Sequence, residues 1–148
     1  MKLLTALTLF CLLSIPVFAA DDGWQTNLEA AKKKAEKDNK VIMMDFAGSD
    51  WCGCCIKLDK EVFSQAAFKE YAKDNLILVM VDFPKKKKLD AATESANNAL
   101  MEKYGVEGFP TVILVDSKGT VIAQTGYREG GAAAYVEHIK DLLAKAKK

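Results

Sequence analysis

The chain has 148 residues, half of them apolar, with 21 basic and 20 acidic side chains. So even a balance gives no electrostatic footing for nucleic acid or for an acidic membrane surface, and the length suits one domain around one core. The chemistry-bearing residues are few: Cys11, Cys52, Cys54, Cys55 and one histidine, His138.

Met1–Ala19 reads as a secretory signal peptide. Lys2 supplies a positive start, Leu3–Phe18 is almost wholly apolar, and Val17 and Ala19 are small residues placed for a cut after Ala19, with a cut after Ala20 as the alternative. The competing reading, an uncleaved anchor, ranks lower. Pro16 interrupts the run, which falls short of the about 20 apolar residues of a membrane span. Cleavage removes Lys2 and Cys11 and takes the net charge from +1 to 0 (20 basic against 20 acidic). Residues 20–148 then form a single domain, secreted or periplasmic. Three cysteines remain, clustered within four positions. Stabilising disulfides use cysteines spread along the chain, so the cluster favours chemistry over scaffolding.

Trp24, Leu28, Ala31 and Ala35 recur at helical spacing, which predicts a helix over 23–38 with its lysines in solvent. Val41–Phe46 is a short apolar run and predicts a buried strand. Asp45 interrupts it on the face of Val41 and Met43. A buried carboxylate is costly, so Asp45 either has a partner or a raised pKa, unless it sits at the strand end and reaches water. Ala47–Asp50 forms a turn in which Gly48 supplies backbone freedom. A helix from Cys52 to about Lys60 breaks near Glu61–Ser64, and Ser64 serves as N-cap of a second piece to about Lys73. Leu76–Phe83 is a second strand, ended by Pro84. Lys85–Lys88 reads as a solvated loop, with an acidic partner as the lesser reading. Asp90–Lys103 is helical. Thr111–Val115 and Thr120–Gln124 form a hairpin across Asp116–Gly119. A last helix follows Gly130–Gly131, burying Val136, Ile139, Leu143 and Ala146, with His138 an ordinary surface histidine. The order implies a central mixed sheet with helices on both faces, an α/β fold.

The centre of this pattern is Trp51-Cys52-Gly53-Cys54-Cys55 at the end of a strand. Three positions apart, Cys52 and Cys55 share one helix face, and their sulfurs can join and part with little backbone movement. At a helix N-terminus Cys52 has its thiolate favoured, and the thiolate is the nucleophile of disulfide exchange. Cys55, one turn inside, is placed to resolve the mixed disulfide. A zinc site would need a second Cys or His pair, and an inert bridge of this spacing closes too small a loop to restrain the unfolded chain much.

This order of elements, the Cys-x-x-Cys and the Gly108-Phe109-Pro110-Thr111 segment together resemble the thioredoxin fold over essentially all of residues 20–148. The Gly48–Cys52 approach and Glu61-Val62-Phe63-Ser64 are similar to the C-terminal domain of the periplasmic reductant carrier DsbD. The resemblance implies that Cys52 attacks, Cys55 resolves, Trp51 flanks the site and Phe109–Pro110 is a cis bond facing the cysteines. Asp45 resembles the buried acid of thioredoxin, the proton acceptor of Cys55, but stands one residue further from the first cysteine. Cys54 replaces the usual proline. It can be tolerated with its sulfur outward, bridge to Cys52, be modified, or bind a metal with Cys52 and Cys55.

The expectation is a thiol–disulfide oxidoreductase acting as reductase or electron carrier. Protein disulfides and dithiols are its partners, a membrane thiol reductant is a further one, and no nucleic acid is involved. It needs no bound organic cofactor or metal and is expected to be a monomer. The alternatives are a Cu(I)-binding module using the three cysteines and a redox-silent interaction domain.

Overall fold

The computed structural model describes residues 23–147, so the expected signal peptide and its cleavage point lie outside the described residues. The elements are β1 (Trp24–Gln25), α1 (Leu28–Asp38), β2 (Val41–Ala47), α2 (Gly53–Leu58), a π-helical turn (Asp59–Phe63), α3 (Ala66–Asn75), β3 (Leu76–Asp82), α4 (Ala91–Lys103), β4 (Thr111–Val115), β5 (Val121–Thr125) and α5 (Gly131–Lys145).

Five strands form one sheet in the order β1-β3-β2-β4-β5. β1 and β2 run parallel to β3, whereas β4 lies antiparallel to both β2 and β5. β2 is central, and five of its seven residues pair on both sides. Its near-continuous apolar sequence follows from that: Ile42, Met44 and Phe46 face α1 and α4, while Met43 faces α3 and α5. Each face closes its own apolar layer, one around Phe63, Phe68, Tyr135 and Ile139, the other around Leu28, Phe46, Val79 and Val115.

Several expectations need correction. Trp24 belongs to a two-residue edge strand paired at Leu78, and its ring packs on Phe63 at 5.2 Å; the first helix begins only at Leu28. Asn27 sets that boundary, its Oδ1 accepting the Ala30 N–H at 2.9 Å. The break before α3 falls at Ser64–Gln65, the late end of the expected stretch, because the second helix runs on to Phe63. The helix widens into a π turn, closed by the Ser64 N–H on the Asp59 carbonyl at 2.8 Å, which buries the consecutive Val62 and Phe63. Ser64 is therefore no N-cap. Its backbone is still helical, its hydroxyl faces Asp59 Oδ2 at 3.3 Å, and Gln65 takes the cap position of α3. In α5, Leu143 is half-buried and Ala146 exposed, because the helix ends at Lys145 and its last turn runs off the sheet. His138 is half-buried with its Nε2 at 2.9 Å from Thr125 Oγ1, not an ordinary surface side chain. Burial, and then the charge of Arg128, hold its pKa below the usual histidine value.

Candidate active site

β2 delivers the chain to the redox cysteines at its C-terminal end. Cys52 is the N-cap of α2, in extended conformation (φ −82°, ψ 107°), and its Sγ accepts the Cys55 N–H at 3.3 Å. Cys52 and Cys55 are joined as a disulfide with their Cα atoms 5.2 Å apart. They are 8% and 5% exposed and pack on Ala47, with Met80 and Phe109 around them. Cys54 is free and faces solvent, so its sulfur does not converge with the other two. Among the described residues no cluster of three His, Cys, Asp or Glu side chains is placed to hold a metal ion.

The Phe109–Pro110 peptide bond is cis. Phe109 stacks on Phe83 at 5.0 Å and takes the edge of Trp51 at 6.1 Å, forming an aromatic wall beside the disulfide. Trp51 is 39% exposed, and its Nε1–H donates to the Phe83 carbonyl at 2.7 Å. Gly48 is required here for a different reason from the one expected. Its φ lies outside the left-handed region, but a Cβ there would fall inside the Trp51 indole. The ring lies against the bare backbone of Gly48. Gly126 is similarly close on the other side, where a Cβ would come 3.1 Å from the Pro110 carbonyl oxygen.

Asp45 lies two residues before Ala47 on the same face of β2, about 6.6 Å along the strand. It is 4% exposed, so it does not reach water as a strand-end acid, and its Oδ1 has no hydrogen-bond donor among the described residues. Burial, and then the negative charges of Asp59 and Asp82, push its pKa up to about 7. Such a group titrates near neutrality, as a proton acceptor in this setting must. Burial, and then the charge of Asp45, push the Tyr135 phenol up; its hydroxyl donates to the Gly126 carbonyl at 3.0 Å.

A polar network that the sequence did not signal surrounds the approach to Cys52. Asp82, at the end of β3, accepts the Ser49 N–H at 3.0 Å, the Ser49 hydroxyl at 2.7 Å and Lys87 Nζ at 2.9 Å. Burial alone would push Asp82 up, but the hydrogen bonds from Lys87 and Ser49 outweigh it and hold the carboxyl below its ordinary value. The buried Asn97 of α4 donates to the Asp82 carbonyl at 2.9 Å. The available signal was an acid closing an otherwise apolar strand, Leu76–Asp82.

A sulfur pair closed at a helix start, backed by a buried acid and walled by a cis-proline loop, defines a thiol–disulfide oxidoreductase of thioredoxin fold. The family described as thioredoxin-like domain matches residues 28–141, and the chain belongs to it. The disulfide bond reductase DsbH of Chlamydia pneumoniae is 37% identical over 128 residues, spanning 86% of this chain and 76% of that protein. A solved structure of a DsbH oxidoreductase superposes with a TM-score of 0.79 at 36% identity, covering 88% of this chain and 90% of that one. The thiol:disulfide interchange protein DsbD of Photorhabdus laumondii is 28% identical over 131 residues; the match takes in 84% of this chain but only 20% of DsbD.

Proposed function

We propose that the protein is a disulfide reductase, or a carrier delivering electrons to disulfides, that works outside the cytoplasm after loss of residues 1–19. The observation that carries this is the Cys52–Cys55 pair at the start of α2, both residues buried on Ala47 with Phe109 of the cis Phe109–Pro110 bond against them. The resemblance to a protein named disulfide bond reductase favours this direction over that of an oxidant.

In the reduced protein the Cys52 thiolate attacks one sulfur of a substrate disulfide. A mixed disulfide forms, and the other substrate sulfur leaves as a thiolate. Cys55 gives its proton to Asp45 and attacks Cys52 Sγ, which closes Cys52–Cys55 and releases the second substrate sulfur. Two electrons pass from the protein to the substrate, whose two sulfurs leave as thiolates and take their protons from water, while Asp45 returns the proton of Cys55 to solvent. A thiol reductant at the membrane then restores the dithiol. Gly53 leaves the helix start unobstructed, with open space where a Cβ would stand. The backbone at Phe109–Pro110, just before β4, takes the substrate chain in extended form.

Trapping tests the scheme. With Cys55→Ser, the first attack proceeds and resolution cannot, so a mixed disulfide through Cys52 accumulates with a disulfide-bearing protein. Mass spectrometry locating no Cys52-linked adduct would refute the assignment of attacking and resolving thiols.

A further inference from the structure

The lysine run takes no part in this chemistry, yet it is built onto the redox site. Asp50, two residues before Cys52, accepts the N–H groups of Lys85, Lys86 and Lys87 at 2.9, 2.8 and 3.1 Å. These bonds, that from Lys85 first, hold the Asp50 carboxyl below its ordinary value, so it stays ionised. Lys85 Nζ lies 3.8 Å from the centre of the Trp51 ring, and Lys87 pairs with Asp82. The run is thus a strap with a set course, not a free loop.

The charges around the strap are unequally engaged. Asp50 is taken up by three backbone donors, Asp82 by Ser49 and Lys87, and Asp90 by the Thr93 N–H and hydroxyl at 2.9 and 2.6 Å. Lys86 and Lys88 are exposed and have no carboxylate within 4 Å among the described residues. A cavity of about 400 Å³ opens beneath them, lined by Lys85, Lys87, Lys88, Phe83 and the one acid without a hydrogen bond or ion pair, Glu94. Trp51 is its wall toward the disulfide. Lys85–Lys88 are matched in number by Asp50, Asp82, Asp90 and Glu94, so the strap carries no net excess of charge; what it offers outward is the ammonium groups of Lys86 and Lys88, which no carboxylate holds in an ion pair among the described residues.

We propose that the strap is a docking surface that selects polypeptide substrates with acidic residues near their disulfide. Aspartate or glutamate side chains a few positions from the substrate cysteine meet Lys86 and Lys88 while the cysteine reaches Cys52 past Trp51. This rests on the thiol–disulfide reading above. Charge complementarity of this kind acts mainly on the encounter rate and on the choice between partners.

The test uses protein reduced with dithiothreitol, desalted, and mixed with two fluorogenic disulfide peptides. They are identical except for two glutamates or two lysines flanking the cysteine. The glutamate peptide is expected to react about tenfold faster at about 10 mM ionic strength, with the ratio falling toward one at about 1 M salt, where the Debye length is about 3 Å. Lys86→Glu/Lys88→Glu should reverse the preference, with a thermal melt of the oxidised variant reporting that the fold is kept. Equal rates for the two peptides in the parent protein, or a preference unchanged by the double substitution, would overturn the docking surface and leave the oxidoreductase reading standing. If the parent protein reduced neither peptide nor a small uncharged disulfide, both would fall.

Discussion

Asp45 gives the sharpest quantitative test, because its environment imposes a pH dependence with a definite sign. An acid whose pKa is raised in the fold prefers to be protonated there. Its stabilising contribution is complete below the unfolded pKa and is lost as pH rises through the folded one. With an ordinary value of 3.8 and a folded value of about 7, the full span is roughly 4 kcal/mol. Roughly 2–3 kcal/mol of that falls between pH 5 and pH 8. Asp45→Asn keeps the shape but cannot ionise, so that loss should disappear, and the variant should be the more stable protein at pH 8. The assay is urea unfolding of the oxidised form at half-unit pH steps, which removes Cys52 and Cys55 as titrating groups. Other groups, His138 included, titrate alike in both proteins and cancel in the difference. Parallel pH profiles for parent and variant would refute the reasoning, because they would mean that Asp45 is solvated or paired. The same variant should slow resolution of the mixed disulfide near neutral pH, as expected on loss of a general base.

Three further outcomes follow from the site. Gly48→Ala places a methyl group where the Trp51 indole lies, so the ring must leave and its bond to the Phe83 carbonyl must break. A loss of about 1–3 kcal/mol in chemical denaturation is expected, with a shift in tryptophan fluorescence; an unaltered spectrum and stability would contradict the close approach. Cys54→Ser should leave the Cys52–Cys55 bridge and its equilibrium with glutathione unchanged, since Cys54 is free and faces solvent; a displaced equilibrium would show that the third thiol is part of the couple. Asp50→Ala removes the acceptor shared by three successive amides. Hydrogen exchange at Lys85, Lys86 and Lys87 should accelerate together, and unchanged protection at all three would show that the strap is held by something else.

Most of the fold was legible because its elements carry strong local signals. Val41–Ala47 and Leu76–Asp82 are short apolar runs bounded by polar or Pro-marked turns, and the Asp116–Gly119 turn is written in turn residues. Here Asp116 Oδ1 accepts the Lys118 and Thr120 N–H groups at 2.9 Å each, and Gly119 takes φ +86°. β1 was not legible, since two residues carry no period, and Trp24 happens to fall at helical spacing from Leu28. The π turn that carries the helix on to the break at Ser64–Gln65 was not legible, because consecutive apolar residues such as Val62 and Phe63 fit neither helical nor strand alternation. Of the site, the cysteines, Trp51, Phe109 and Pro110 follow from local motif, and Asp45 from its anomaly within an apolar strand. The partners of Ser49 and Asp50 lie 33 to 37 residues away. Such pairing depends on the register of β2 against β3, which a sequence pattern does not contain.

That register also shapes the approach to the first cysteine. Ala47 pairs with Asp82, so β2 and β3 end level, and the Phe83 N–H donates to the Ala47 carbonyl at 2.8 Å. The two outgoing connections, Gly48–Trp51 and residues 83–90, therefore leave side by side. Ser49 reaches Asp82, Asp50 reaches Lys85–Lys87, and Trp51 reaches Phe83 and Lys85. Three consecutive side chains are thus spent on the end of β3 and the connection after it, leaving Cys52 next in line to turn inward and begin α2. A turn one residue shorter has to give up one of these contacts or lift Trp51 from Gly48. In this arrangement the turn Gly48–Trp51 joins the lysine strap to the disulfide, so the proposed docking surface and Cys52 are held by the same turn.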